Sequence, residues 1–99
     1  MTLTVELPTG GVAVSVAREE PAQQSRGVVA IAHGAGAGMD HPFLVGFAEA
    51  LRADGFTTVR FNFPYSEAGR RMPGPAAHAI LTWRAVVAEI RSQSPDAQI

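Results

Sequence analysis

The densest group of residues able to do chemistry is His33-Gly34-Ala35-Gly36-Ala37-Gly38, three glycines in six positions beside an imidazole. A backbone this rich in glycine bends sharply or lets another group come close to its N–H groups. A dinucleotide fingerprint needs its third glycine three residues after the second, where Met39 stands, and an acidic residue ending the next strand, where Asn62 stands. A phosphate loop needs a Gly-Lys-Ser/Thr run, and the chain has no lysine. Two readings fit better. In acyl transfer, backbone N–H groups hold the developing alkoxide, and small residues admit the substrate carbonyl; Ala35 is the first candidate donor and Gly36 the next. Alternatively, the glycines only negotiate a tight strand-to-helix turn. The six residues by themselves leave both open.

Other polar residues lie within reach of the same region. His33 is expected to orient the glycine loop through a backbone hydrogen bond. His33, Gly34, Asn62 and Tyr65 are the candidate substrate contacts, although Asn62 next to Phe63-Pro64 equally favours a turn. Asp40-His41 has the composition of an acid–base dyad, but adjacent residues at a helix start point apart, and a capping role fits both better. His78 is expected to face solvent or to pack, Arg70-Arg71 to be a solvated pair, and Trp83 to lie in the core.

Composition removes several classes of function. All eight basic residues are arginines and the net charge is −1, so no basic footprint for nucleic acid or an anionic membrane is present. Without lysine no Schiff base can form, and without cysteine neither a disulfide framework nor a thiolate metal site is available. No metal and no cofactor are expected. The start, Met1 to Pro8, lacks a basic segment followed by an apolar one, and the longest unbroken apolar run is Val28 to Ala32. A soluble, cytoplasmic protein with no membrane contact is the expectation.

The elements that must hold the glycine loop follow from periodicity. Leu3, Val5 and Leu7 alternate with polar residues, Pro8 to Gly11 turn the chain, and Val12, Val14 and Val16 alternate again: a β-hairpin over 1–17. Arg18 to Arg26 is polar and is expected to be a surface loop. Gly27 to Ala32 is continuously apolar, as in a strand covered on both faces. Phe43, Leu44, Phe47, Ala48 and Leu51 fall on one helical stripe, started by Asp40 or His41 with Pro42 and ended by Asp54-Gly55. Thr57 to Phe61 is rich in β-branched residues, hence a strand. Asn62 to Pro75 is expected to be a loop, and Ala76 to Ser92 a helix whose apolar face is Ile80, Trp83, Val87 and Ile90. Ala97 to Ile99 begin another strand. The order β-β-β-α-β-α-(β) predicts a single α/β domain over 1–99, a hairpin followed by a parallel βαβα unit over 27–99 in three α/β/α layers.

Two blocks carry a more specific likeness. GVVAIAHGAGAGMDHPF (Gly27 to Phe43) and VRFNFPY (Val59 to Tyr65) resemble, in sequence and spacing, a branch of the α/β-hydrolase superfamily. It is the small bacterial group near dienelactone hydrolases, whose eukaryotic relatives include a testis-expressed protein and a subunit of a histone-acetyltransferase complex. The resemblance implies the N-terminal part of an α/β-hydrolase sheet and a serine-type hydrolase of ester or related acyl bonds, acting on a small-molecule acyl substrate without a cofactor. It also places the oxyanion donor in the glycine loop. A nucleophile elbow, an acid and a histidine are implied beyond the second helix. None of Ser15, Ser25, Ser66, Ser92 or Ser94 has the flanking glycines of such an elbow.

The chain is therefore expected to be an incomplete α/β-hydrolase, inactive by itself, whose Gly27–Ala32 strand forms an open sheet edge. Self-association or partner recruitment through that edge, in place of catalysis, is the rival expectation. A small nucleotide-binding module is a weaker one.

Overall fold

The computed structural model describes all residues, 1–99. Strands β1 (Thr2–Leu7) and β2 (Gly10–Glu19) form the hairpin, followed by β3 (Val28–Ala32), helix α1 (Pro42–Ala53), β4 (Thr57–Phe61), the short helix α2 (Pro64–Glu67) and helix α3 (Ala76–Gln93). The four strands make one sheet in the order β1-β2-β4-β3. β1 and β2 pair antiparallel through the two-residue turn Pro8-Thr9, β2 pairs antiparallel with β4, and β3 pairs parallel with β4. The expected hairpin, α/β order and parallel β3-α1-β4 crossover are all present.

The sheet separates two environments. Val59 and Phe61 of β4 join Val5, Val14, Val16 and Val28 in an apolar core closed by Val86 and Ile90 of α3. Phe61 is fully buried, with its ring edge-on to Trp83 at 4.9 Å and to Phe63 at 5.4 Å. Thr58 and Arg60, the alternate residues of β4, turn toward the α1 side, where they meet Arg52 and Asp40. Helices on opposite faces of the sheet give the three layers.

The ends of α1 follow local rules. The His41 Nδ1 accepts the Phe43 N–H at 3.2 Å as N-cap, and Pro42 occupies the first turn. At the other end Gly55 takes φ 97°, Phe56 N–H reaches Leu51 C=O at 3.0 Å, and Gly55 N–H reaches Arg52 C=O at 3.0 Å. This is a Schellman cap, which favours glycine at that position.

Several expectations are corrected. β2 continues to Glu19, so Arg18 and Glu19 are not loop residues. Arg18 pairs with the neighbouring Glu20 and donates to the distant Ser94, while Glu19 is matched by Arg52 and Arg60 from far along the chain. The segment 62–75 contains α2, which Pro64 opens with its fixed φ. On α3 the fully buried positions are Thr82, Val86 and Ile90, whereas Ile80 is exposed; Trp83 and Val87 flank the buried row. On α1 only Ala48 is fully buried, and Phe43 and Phe47 stack on each other in solvent with centroids 6.3 Å apart.

β3 is an edge strand. Its Val28 N–H turns away from β4 and donates to the Gln98 C=O at 2.8 Å. Alternation along a parallel strand turns the N–H and C=O groups of Ala30 and Ala32 to the same side, where no strand lies. Residues 97–99 thus lie along the start of this edge without forming the expected strand.

Two outcomes are expected. Phe61→Ala lowers unfolding free energy by about 3–5 kcal/mol in urea titration, because its cavity opens among β-strand and α3 side chains that cannot all collapse. Glu20 has its pKa lowered, first by the Thr57 hydroxyl and then by Arg18, against the opposing effect of burial. A depressed carboxylate stabilises the fold above its unfolded pKa of about 4.3 and loses that contribution as pH falls through its folded value. Glu20→Gln therefore flattens the acid limb of stability against pH, and an unchanged limb counts against the assignment.

Candidate functional site

The glycine loop leaves the C-terminal end of β3, the end at which ligands bind in open parallel sheets. Its turn is set by Gly34 C=O accepting the Ala37 N–H at 3.2 Å, with Gly36 at the third position and φ 77°. Positive φ at that position alone marks a type II turn and calls for glycine.

His33 holds the loop to the end of β4. Its ring is 5% exposed, and Nε2 accepts the Phe63 N–H at 3.1 Å. With Nε2 an acceptor, Nδ1 carries the proton and donates to Gly34 C=O at 2.9 Å. The imidazole lies edge-on to Phe63 and Tyr65, with centroids 5.1 and 5.6 Å away. Both ring nitrogens are committed, so His33 positions the loop, as expected.

Three further contacts fix the loop from the β4–α2 side. Asn62 Oδ1 accepts the Met39 N–H at 2.8 Å, the Ser66 hydroxyl donates to Ala37 C=O at 3.2 Å, and the Tyr65 hydroxyl reaches Gly34 C=O at 3.4 Å. A Cβ on Gly38 would stand 3.1 Å from the Ser66 Oγ, so the loop and α2 are in close approach. Arg60, 8% exposed, completes the frame by donating to Met39 C=O at 2.7 Å and to Asp40 at 3.0 Å. Burial works against its charge, yet the Asp40 and Glu19 carboxylates outweigh burial and raise its pKa above the ordinary arginine value. Asp40 is therefore an ion-pair partner and His41 a cap, not a dyad.

A cleft of about 230 Å³ opens beside the loop, walled by His33, Ala35, Phe63, Tyr65, Pro75 and His78 among others. Of the sequence candidates, Ala35, His33 and Tyr65 reach this cleft, whereas Gly34, Gly36 and Asn62 do not line it. The Ala35 N–H makes no hydrogen bond within the protein, while the Gly36 N–H donates to Arg71 C=O at 3.1 Å. His78, expected in solvent or packed, is half-buried and lines the cleft. Arg70 and Arg71 are exposed. No three metal-ligating side chains gather in the chain, and no helix is long and apolar enough to cross a membrane.

Sequence reasoning missed Arg60, Ser66, His78 and the Pro73-Gly74-Pro75 wall. For Arg60 a signal existed: a lone charge inside the run Thr57-Thr-Val-Arg-Phe61 demands a carboxylate partner. His33→Ala should strip partners from the Phe63 N–H and the Gly34 C=O. The expected loss is about 1–3 kcal/mol in chemical denaturation, with faster hydrogen exchange at Phe63; unchanged Phe63 protection would refute the bridging role.

A family model described as an alpha/beta hydrolase domain matches residues 25–99. Among solved structures, an alpha-beta serine hydrolase homologue from Coxiella burnetii superposes with a TM-score of 0.80 at 20% identity, over 100% of this chain and 49% of its own. A member of the α/β serine hydrolases without a lid, from Xanthomonas campestris, superposes with a TM-score of 0.71 at 30% identity, over 98% of this chain and 46% of its own. The chain thus spans about half the length of either structure. No curated protein matches it. With the family model matching three-quarters of the sequence, this chain belongs to the alpha/beta hydrolase domain family.

Proposed function

We propose that these residues form the N-terminal half of a serine-type hydrolase of ester or related acyl bonds, acting on a small-molecule acyl substrate in the cytoplasm. The observation that carries the proposal is the Ala35 N–H, which makes no hydrogen bond within the protein and belongs to a residue lining the cleft, in a loop tied down by His33, Asn62 and Ser66. A donor held in place before the reaction stabilises an oxyanion without reorganisation cost. The aromatic and proline walls of the cleft, Phe63, Tyr65, Pro73 and Pro75, suit an apolar acyl or alcohol group. In this reading the nucleophile, base and orienting acid belong to residues beyond Ile99, and residues 1–99 alone are inactive.

A second reading has support of its own. Ala30 and Ala32 present unpaired backbone groups on a strand without a single charge, which favours pairing with another strand. A non-catalytic interaction protein would use that edge to bind a partner or a second copy, and a stoichiometric complex by light scattering, with no esterase activity in the full-length protein, would select this reading.

For the hydrolase, full-length protein is expected to turn over short p-nitrophenyl esters, and residues 1–99 are not. Ala35→Pro removes the donor and should lower kcat about 10²–10³-fold with a small change in KM. Turnover by residues 1–99, or full activity in the proline variant, sinks the reading.

A further inference from the structure

We propose that a second hollow, reached past His78 from the cleft, is an acyl-chain subsite, and that the substrates are esters of medium-length acyl chains. The inference rests on the hydrolase reading above and names its substrate class.

The β-hairpin builds this hollow. β2 pairs with β4 only from Val16 to Glu19, so its first residues and the Pro8-Thr9 turn overhang the C-terminal end of β4. That is the end at which the cleft lies. Helix α2 packs against the overhang, where the Glu67 carboxylate accepts the Ser15 N–H. Between hairpin, α2 and the start of α3 remains a space of about 250 Å³, floored by Leu7, Val12, Pro64 and Ala68. Thr9 and Arg70 stand exposed at its outer side. Leu7 and Val12 lie diagonally on one face of the hairpin, the face whose Val5 and Val14 enter the core. The apolar surface of the core thus continues into this space.

Pro64, Tyr65, Gly74, Pro75 and His78 line both this hollow and the cleft beside Ala35. They form a partition with one space on each side. Its two rings are held differently. Tyr65 stacks on Phe63 at 6.3 Å, stands edge-on to His33 and reaches the Gly34 C=O. The hydrogen bonds of His78 are made by its backbone, not its ring. Across from that ring is Gly74, where a Cβ would lie 3.5 Å from the His78 Nδ1. A ring held by packing alone can change rotamer, and a swing of His78 joins the two spaces into one path. The path runs from a carbonyl at Ala35 to the floor at Leu7 and Val12.

The chemistry decides which half of the ester goes there. The serine oxygen bonds to the acyl carbon, the alcohol leaves with the serine's proton, and water later takes the serine's place. The acyl group stays through both steps, whereas the alcohol must escape between them. A space beyond the partition therefore suits the acyl chain. Short acyl groups fit the cleft alone, and longer ones must pass His78. Each methylene that reaches the apolar floor strengthens binding about fourfold.

The test is the acyl-length profile of the full-length protein on p-nitrophenyl acetate, butyrate, hexanoate and octanoate. From butyrate to octanoate kcat/KM is expected to rise roughly tenfold, mostly through KM. Ala68→Trp, at an exposed position on the C-cap of α2, fills the second hollow. It should lower the octanoate-to-acetate ratio of kcat/KM by about tenfold. His78→Ala opens the partition and should raise the same ratio. Acetates lengthened on the alcohol side, from ethyl to octyl, should show neither change. Hydrolysis of p-nitrophenyl acetate with a ratio that ignores both substitutions overturns the inference and leaves the hydrolase reading standing. Absence of turnover on every ester removes both.

Discussion

Arg60 carries a permanent positive charge into the layer between β4 and α1, and the geometry around it follows from making that burial tolerable. A guanidinium taken out of water needs carboxylates and carbonyls in return. Glu19 supplies one carboxylate from β2, Asp40 another from the head of α1, and Met39 a carbonyl from the end of the glycine loop. Arg52 shares Glu19 and also holds Thr58, so α1, β2 and β4 are tied through one small ionic cluster. The last donor of the guanidinium, Nε, has no partner, which makes the cluster's compensation incomplete and its remaining members harder to spare. Glu19 and Asp40 are both open to solvent, so the charge is neutralised at the margin of the layer and not in its depth.

From that anchor the site is a matter of two loops fastened face to face. The glycine loop ends at Met39-Asp40 on Arg60, and its beginning is bound by His33 to the first residues after β4. Asn62 and Ser66 fasten the middle. The Gly34, Ala35 and Gly38 N–H groups remain without a partner in the chain, and of these three residues Ala35 lines the cleft.

Much of this was legible in the sequence, and the failures have physical causes. Thr57–Phe61 and the two ends of α1 could be read because β-branching, Pro42 and Gly55 act locally. The buried face of α3 was misplaced because Thr82 counts as polar by type, yet its hydroxyl donates to His78 C=O at 2.7 Å within the helix and so can be buried. Arg18 and Glu19 looked like loop residues since Ser94 lies 76 positions from Arg18, and Arg52 and Arg60 lie 33 and 41 positions from Glu19. In the site, the glycines named the loop but not that the Gly36 N–H is bound while the Ala35 N–H is not. That distinction depends on the Arg71 carbonyl, a backbone atom whose position no side-chain type encodes.

The strand order has a consequence for how the chain acquires its shape. β4 is the last in chain order of these four strands and the one that separates β2 from β3. Until it emerges, the hairpin and β3 have no common neighbour, and β3 cannot join the sheet at all. The nascent protein must therefore carry an apolar, unpaired β3 through the synthesis of the glycine loop and all of α1, an interval in which chaperones or aggregation compete for it. When β4 docks, it brings Phe61 to the core and Arg60 to its carboxylates in the same movement. The continuity of the sheet and the frame of the site thus both hang on a single five-residue strand, with α3 still to close the core.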